Sequence, residues 1–543
     1  MKAFKIFSMA AVAFMMVACS SEDTVLDNTP IAGQKVHFTA TIAAPGSDAL
    51  TRTTYTEITS GTDAGKIKVA WEQGDKIALI HNGKKDEVTV QTLNADGSAN
   101  ISGDITVGTD GEAVTIVYPA ASVNAPTSGA EPVEDATYAT KWNSQDGTLT
   151  YIQDNLDFCR ATSTLKVSGT KATLNDNISM GSTIAIFKFT TKNFDASATI
   201  KVKPLTITIG TQDYVITPAS ATSELYVALP AVSGQTVSFS GTVGSMPWLC
   251  SKTGVSFDAG NFYQSTLKML PQGAIPGRFT INAGGDKVYF SQGNLQAIYD
   301  GSAWSWAFAT NQWDFIGGRS SGGSETQTGN NFISGNGTMS TAGTVDLFGW
   351  VGETSTILTS DPAKYGISNS NTHSDYGVSV TDKLMSDWGN IMGSGWRTLS
   401  SAEWNYLFTS RTDANQKFGF GSINGVNGLI ILPDSWTLPA GLTFTAGNSA
   451  WGNGYTTDEW SLMETAGAVF LPAAGGRLKN ASGPYLYGIP ESGIYWSSSP
   501  KADNVNNAMR LWFCVHEGST YLVPQDSNDR YNGYSVRLVR DAE

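Results

Sequence analysis

The chain has 543 residues, a formal net charge of -14, only 15% charged side chains and 57 glycines. So acidic a balance excludes nucleic acid as a partner, because phosphate binding needs a basic surface, and it disfavours docking on anionic headgroups for the same reason. The length leaves room for three or four domains, and abundant Gly, Ser and Thr with few charges are the composition of an extracellular β-rich protein.

Lys2 and Lys5 open the chain, Ile6 to Val17 is almost wholly apolar, and the small Ala18 is followed at once by Cys19. An apolar run this short does not span a bilayer, so residues 1–18 read as a cleaved signal. Ala18-Cys19 resembles a bacterial lipobox, although Met16 stands where Leu is commonest. That resemblance implies acylation of Cys19 and anchoring in outer-membrane lipid, at roughly 0.8 kcal/mol per buried methylene. An ordinary secretory signal followed by a chance Cys is the alternative. Ser20-Ser21-Glu22-Asp23 resembles the acidic export tag of surface lipoproteins, which implies a chain facing the cell exterior. Residues 19–34 read as a polar tether.

Strands follow in quick succession. Val36 to Ile42 is apolar at every second residue, the period of a half-buried strand, and Ile67 to Trp71 repeats the pattern. Gly74-Asp75, Asn82-Gly83, Asp96-Gly97 and Asp110-Gly111 supply the turns. A first β block covers 35–150. A second, 151–270, is read from Ala185–Phe189, Leu205–Ile209, Leu225–Leu229, Val237–Phe239 and Ser265–Met269. No helical period is clear between the signal and about residue 380. Residues 271–277, with two prolines and two glycines, read as a linker.

From 278 to 543 the composition changes: twelve of the chain's 15 tryptophans lie beyond residue 300. A Gly/Ser/Asn stretch from about 318 to 345 reads as a surface loop. Ser400 with Glu403, and Thr456 with Glu459, stand at capping-box spacing and predict two helices, with Trp404, Leu407 and Phe408 on one face of the first, Trp460 and Met463 on one face of the second, and Gly467 ending it. Ser535 to Val539 alternates as a strand built into this domain, so the C-terminus is not one that can be donated to another subunit.

The first two blocks resemble the paired domains of fimbrillin-like lipoproteins, on Thr51-Arg52-Thr53-Thr54, Val69 to Ile77, Leu225 to Leu229 and Phe257 to Tyr263. The resemblance implies transthyretin-like sandwiches used in fimbriae, with fimbrial subunits as partners and Arg52 as a processing site. Physically, Trp71 fills a sandwich core and Gly74-Asp75 turns the chain. The remainder resembles a C-type-lectin-like surface module and, distantly, the formylglycine-generating-enzyme domain, on Val288 to Leu295, Asn311 to Phe315, Trp396 to Trp404, Phe470 to Arg477, Tyr495 to Ser499 and Gly533 to Arg540. The expected fold is therefore multidomain: two all-β transthyretin-like sandwiches, then an α+β C-type-lectin-like domain.

Chemistry is sparse. The enzyme relatives use a pair of cysteines, and this domain has only Cys514. With Cys159 and Cys250 the mature chain beyond Cys19 holds an odd number of thiols, so no complete disulfide framework exists. Cys159 and Cys250 either pair or stand as buried thiols. No nucleophile elbow, zincin motif or Walker loop occurs. Cys514 and His516 share one face of a strand, but two ligands do not make a zinc site. Asp526 to Asp529 offers oxygen ligands suited to calcium, against which stands a plain solvated loop.

What remains is recognition. Trp451, Tyr455, Tyr485, Tyr487, Tyr521 and Tyr531 lie in polar, Gly-rich segments, where flat rings with a polar edge stack on sugars or anchor protein partners. The reading is a non-catalytic surface lipoprotein without cofactor or metal. It acts in adhesion or ligand recognition on a glycan or host protein, as an accessory or terminal fimbrial component. Glycan capture for nutrient uptake is the alternative, and an enzyme whose carboxylates or metal emerge only from the fold, with His373, His516, Asp434 and Glu491 as the groups to check, is the third.

Overall fold

The computed structural model describes residues 2–3, 33–44, 56–58, 67–68, 70–106, 109–319, 325–326, 341–351, 387–393, 395–447, 450–480, 483–504 and 506–542. Cys19, Arg52 and His373 lie outside them. The chain divides into two compact units, Met1–Met269 and Leu270–Glu543, both β-rich and built from several sheets.

In the first unit, β1 (Lys35–Ile42), β2 (Lys76–His81), β3 (Lys84–Leu93), β4 (Ala99–Thr106), β5 (Ala113–Tyr118), β6 (Cys159–Ser168) and β7 (Lys171–Leu174) form one sheet in the order β7-β1-β4-β3-β2-β5-β6. Strand β7 pairs with β1 at one end of this order and with β6 at the other, so the sheet closes on itself. Closure consumes the backbone donors and acceptors that a free edge would expose. Three of its strands, β6, β7 and the short Gly181–Ser182 that pairs with β6, come from beyond residue 150, so the first sheet runs past the expected division at 150/151. Asn82-Gly83, both at positive φ, make the two-residue turn between β2 and β3, the backbone that Asn-Gly adopts at least cost. Inside, Val36, Phe38 and Ile42 alternate into a core centred on Trp71, whose indole N–H donates to the Ala43 carbonyl at 2.9 Å.

The second sheet of this unit runs β10-β9-β12-β13-β14-β8-β11, from β8 (Ile184–Asn193), β9 (Leu205–Ile209), β10 (Gln212–Ile216), β11 (Glu224–Pro230), β12 (Val232–Val243), β13 (Met246–Phe257) and β14 (Phe262–Pro271), with Lys2–Ala3 pairing on Tyr263 and Gln264. A helix absent from the sequence reading, α1 (Leu149–Asn155), packs Ile152 against Ile184, Ile186 and Ala228. Its seven residues bury Ile152 alone, which is too little to show a period. Thr148 caps it, accepting from the Tyr151 N–H at 3.1 Å. The Gln145 side chain donates to the Ala228 carbonyl at 3.0 Å and accepts from the Ala228 N–H at 2.8 Å. One amide thereby covers the outer edge of β11. Cys159 and Cys250 are thiols and are not joined in a disulfide.

The second unit is organised by its C-terminus. A four-stranded sheet runs β15 (Phe279–Thr280), β16 (Lys287–Phe290), β30 (Leu538–Asp541), β20 (Trp396–Thr398), so the last strand is an inner one. Upstream of it the Leu295 N–H donates to the Val536 carbonyl, the Trp496 N–H to the Ser535 carbonyl, and Phe348 and Tyr534 exchange both backbone bonds. Arg537 is fully buried and donates to the Ser291 and Phe470 carbonyls. Burial pulls its guanidinium down to about 10, still cationic at neutral pH. The segment 271–277, expected as a linker, is bound into this unit: Ile275 is buried and its N–H donates to the Phe290 carbonyl, and a Cβ on Gly277 would lie 2.2 Å from the Gly467 carbonyl oxygen.

Further small sheets complete the unit. One joins β17 (Leu295–Tyr299), β18 (Trp304–Phe308) and β19 (Gly343–Val345), and another β21 (Phe418–Ile423), β22 (Val426–Ile431), β23 (Asn453–Tyr455) and β24 (Val469–Pro472). Beyond the two-stranded pair β25 (Gly476–Asn480) and β26 (Gly483–Tyr487) comes the meander β27 (Ser492–Pro500), β28 (Asn507–His516) and β29 (Ser519–Asp529). Both predicted helices are present, α2 (Ser401–Thr409) and α3 (Thr457–Thr465), each with its capping box formed. Among the described residues no helix is long and apolar enough to cross a membrane.

Trp71→Ala removes a fully buried indole and its hydrogen bond, and is expected to lower the stability of the first unit by about 3–5 kcal/mol, read as a shift in urea midpoint. A pH effect arises at Asp387, which caps the short turn Trp388–Met392 by accepting from Gly389 N–H at 2.7 Å and also accepts from Thr398 N–H at 2.9 Å. Burial pushes its carboxyl from 3.8 up to about 6, so the folded chain holds a proton that the unfolded chain releases near pH 4. The stability this proton contributes is complete below that pH and lost as pH rises through about 6. Melting temperature should therefore fall between pH 4 and 6.5, with a shallower slope in Asp387→Asn.

Candidate functional site

Among the described residues of the second unit, the meander β27-β28-β29 carries the exposed aromatic side chain, Tyr521. Glu517 and Gly518, both at positive φ, form a two-residue turn between β28 and β29 and set their register. Strand alternation then sorts β28 by face. Leu511, Phe513 and Val515 enter one core; Phe513 lies against Gly493, where a Cβ would stand 2.0 Å from the ring. Arg510, Trp512 and Cys514 take the other face.

On that face Trp512 is opposite Val523 and Cys514 is opposite Tyr521, so Trp512 and Tyr521 are diagonal neighbours within reach of one another. Their rings stack with centroids 5.9 Å apart and planes 16° from parallel. Trp512 is half-buried and its indole N–H donates to Ser492 Oγ at 2.9 Å, while Tyr521 is 46% exposed. The indole is therefore held in one orientation and the phenol is laid on it in solvent. Beside them the His516 ring faces Glu491 Oε2 at 3.3 Å and Glu517 Oε1 at 3.9 Å. Cys514, adjacent, is buried; desolvation first, and then the Glu491 carboxylate, push its thiol up.

Farther along the same face, Arg510 Nε donates to Asp526 Oδ2 at 2.7 Å, and its guanidinium lies 4.8 Å over the Tyr534 ring. Burial first, then the Tyr487 phenol, holds the Tyr534 hydroxyl well above its usual range against the opposing Arg510 charge. Tyr531 donates to Asp529 Oδ2 at 2.9 Å, and Asn532 donates to Asn528 Oδ1 at 3.2 Å. One side-chain oxygen each of Asp526, Asn528 and Asp529 is thus engaged by the protein's own donors. Among the described residues no group of three or more metal-ligating side chains occurs.

The six aromatic residues singled out in the sequence fall in different settings. Tyr521 is exposed. Tyr487 and Tyr531 are half-buried against the core that also takes Trp512. Tyr485 is half-buried on β26 opposite Leu478. Trp451 meets the edge of Phe420 at 5.8 Å and packs against a different core. Tyr455 is buried at 8% exposure, donates to the Thr443 carbonyl at 2.5 Å, and is pushed up to about 12 by burial. It props a loop from beneath. Trp512 is the residue that sequence reasoning missed: within Leu511-Trp512-Phe513-Cys514-Val515 it looks fully interior. Its signal was strand alternation counted back from the Glu517-Gly518 turn. Of the groups named for an enzyme, His516 and Glu491 meet, whereas Asp434 accepts from Thr280 Oγ1 at 2.6 Å.

No family model matches the chain, and no curated protein matches it. Among solved structures it is similar to a fimbrial protein from Bacteroides ovatus, with 12% identity, 94% of this chain and 99% of that chain covered, and a TM-score of 0.21. It is also similar to a fimbrial assembly protein from Parabacteroides distasonis, with 11% identity, 48% and 96% covered and a TM-score of 0.22. The tip fimbrial protein of Porphyromonas gingivalis with C-terminal truncation gives 9% identity, 44% and 96% covered and a TM-score of 0.23. At these TM-scores the likeness carries no argument, and the site stands on its own geometry.

Proposed function

We propose that this chain is a surface recognition protein acting in adhesion, carried on the outer membrane by a lipid on Cys19 and facing the cell exterior. In this reading the first unit is a fimbrillin-like stalk and the second a lectin-like head, and the protein is an accessory or terminal fimbrial component. The observation that carries it is the stacked Trp512–Tyr521 pair, which presents ring surface from the strands of a sheet. Rings fixed on rigid elements lose little entropy on binding. The inner position of Leu538–Asp541 supports a terminal role, since a strand paired on both sides is not one that a neighbouring subunit can borrow.

We read the second unit as non-catalytic. A buried thiol whose pKa is raised is a poor nucleophile, and Cys514 is the single thiol of this unit.

Two measurements test the proposal. Cys19→Ser should abolish incorporation of labelled palmitate and shift the protein from membrane to supernatant; equal labelling of both proteins removes the anchor from the reading. Cells carrying Trp512→Ala with Tyr521→Ala should lose most of their attachment to extracellular matrix or partner cells at unchanged surface amount. Undiminished attachment rejects this face as the adhesive one.

A further inference from the structure

We propose that the Trp512–Tyr521 face takes a neutral sugar ring of a polysaccharide, stacked on the aromatic pair with hydroxyls bonded by Glu491 and His516. This rests on the reading of the second unit as a recognition module and names the ligand class of that site.

Area selects between sugar and protein. A Trp and a Tyr present at most roughly 500 Å² together, and Trp512 is half-buried already. A stable protein partner needs about 800 Å² per side, with an apolar centre. Among the described residues of this unit the other exposed large apolar side chains are Leu438 and Leu462, one in a loop and one on α3. The exposed Tyr521 ring, backed by the half-buried Trp512, is therefore a small apolar face. A pyranose, with one C–H face and a hydroxyl rim, fits it.

The rim supplies the polar partners. Glu491 and His516 are 3.3 Å apart, with side chains 45% and 62% exposed. A carboxylate accepts from vicinal hydroxyls and an imidazole donates or accepts. Ser519 pairs with His516 across the turn and adds a hydroxyl on the Tyr521 side of the strand. Charge then decides between neutral and anionic sugars. Glu491 and Glu517 both flank His516, and the chain carries -14 overall. A uronate or sulfate would face two carboxylates with one imidazole between them.

The test is affinity gel electrophoresis of the full mature chain through gels containing dextran, galactomannan, xylan or polygalacturonate. At least one neutral polysaccharide should retard the wild-type chain and polygalacturonate should not. Trp512→Ala and Tyr521→Ala should each weaken retardation about tenfold or more, Trp512→Phe should retain most of it, and Tyr521→Ala and Trp512→Phe should melt as wild type within a few degrees. Retardation by no neutral polysaccharide, retardation by polygalacturonate alone, or retardation that survives both alanine variants overturns the proposal. Loss of cell attachment in the alanine variants without any neutral-sugar binding would sink the ligand class and leave the adhesive face standing. Attachment that is unchanged would sink the adhesive reading itself.

Discussion

The second unit depends on one buried cation. Arg537 is fully buried, and its guanidinium donates to main-chain carbonyls at Ser291 and Phe470, far apart in sequence. A buried charge left without partners costs several kcal/mol, so those carbonyls must come to it. They do so only when the C-terminal segment lies between β16 and β20 and along Leu295, Phe348 and Trp496. Each distant part of the unit thus meets on the last strand. The segment 534–541 is the structural centre of the unit.

The recognition face inherits its rigidity from that centre. Strand β27 bonds the C-terminal segment through Ile494 and Trp496, and β28 and β29 are laid on β27 in turn. Arg510 holds Asp526 on one side and the Tyr534 ring on the other, which ties the hairpin to the same segment. Arg530, 4.3 Å over the Trp350 ring, repeats the arrangement. Buried guanidinium groups laid on aromatic rings are a recurrent device here, and they use the flat, weakly hydrated cation that Lys does not supply.

The first unit solves a different problem. Two sheets with many strands expose edges that invite pairing with other chains. One sheet closes through β7, and the β11 edge of the other is covered by the Gln145 amide. Core packing around Trp71 is then free to follow strand alternation alone.

Much was legible in the residues because it is local. The Ser400/Glu403 and Thr456/Glu459 boxes form as spaced, the Asn82-Gly83 turn joins its strands, and Trp404 and Trp460 are interior. What failed was non-local. Helix α1 buries one residue, Ile152, so no period announces it. Tyr455 sits in a Gly-rich segment yet lies under its loop, because depth depends on what packs above. Ile275 looked like linker and is core, because its partner Phe290 arrives from a later strand. Sequence by itself determined the β-rich class, the capped helices, the turns and the acidic surface, since each follows from neighbours within a few residues. The tertiary structure alone decided which rings face water, because Trp512 and Phe513 differ only in the side of a sheet they take, and sides are set by the register of distant strands.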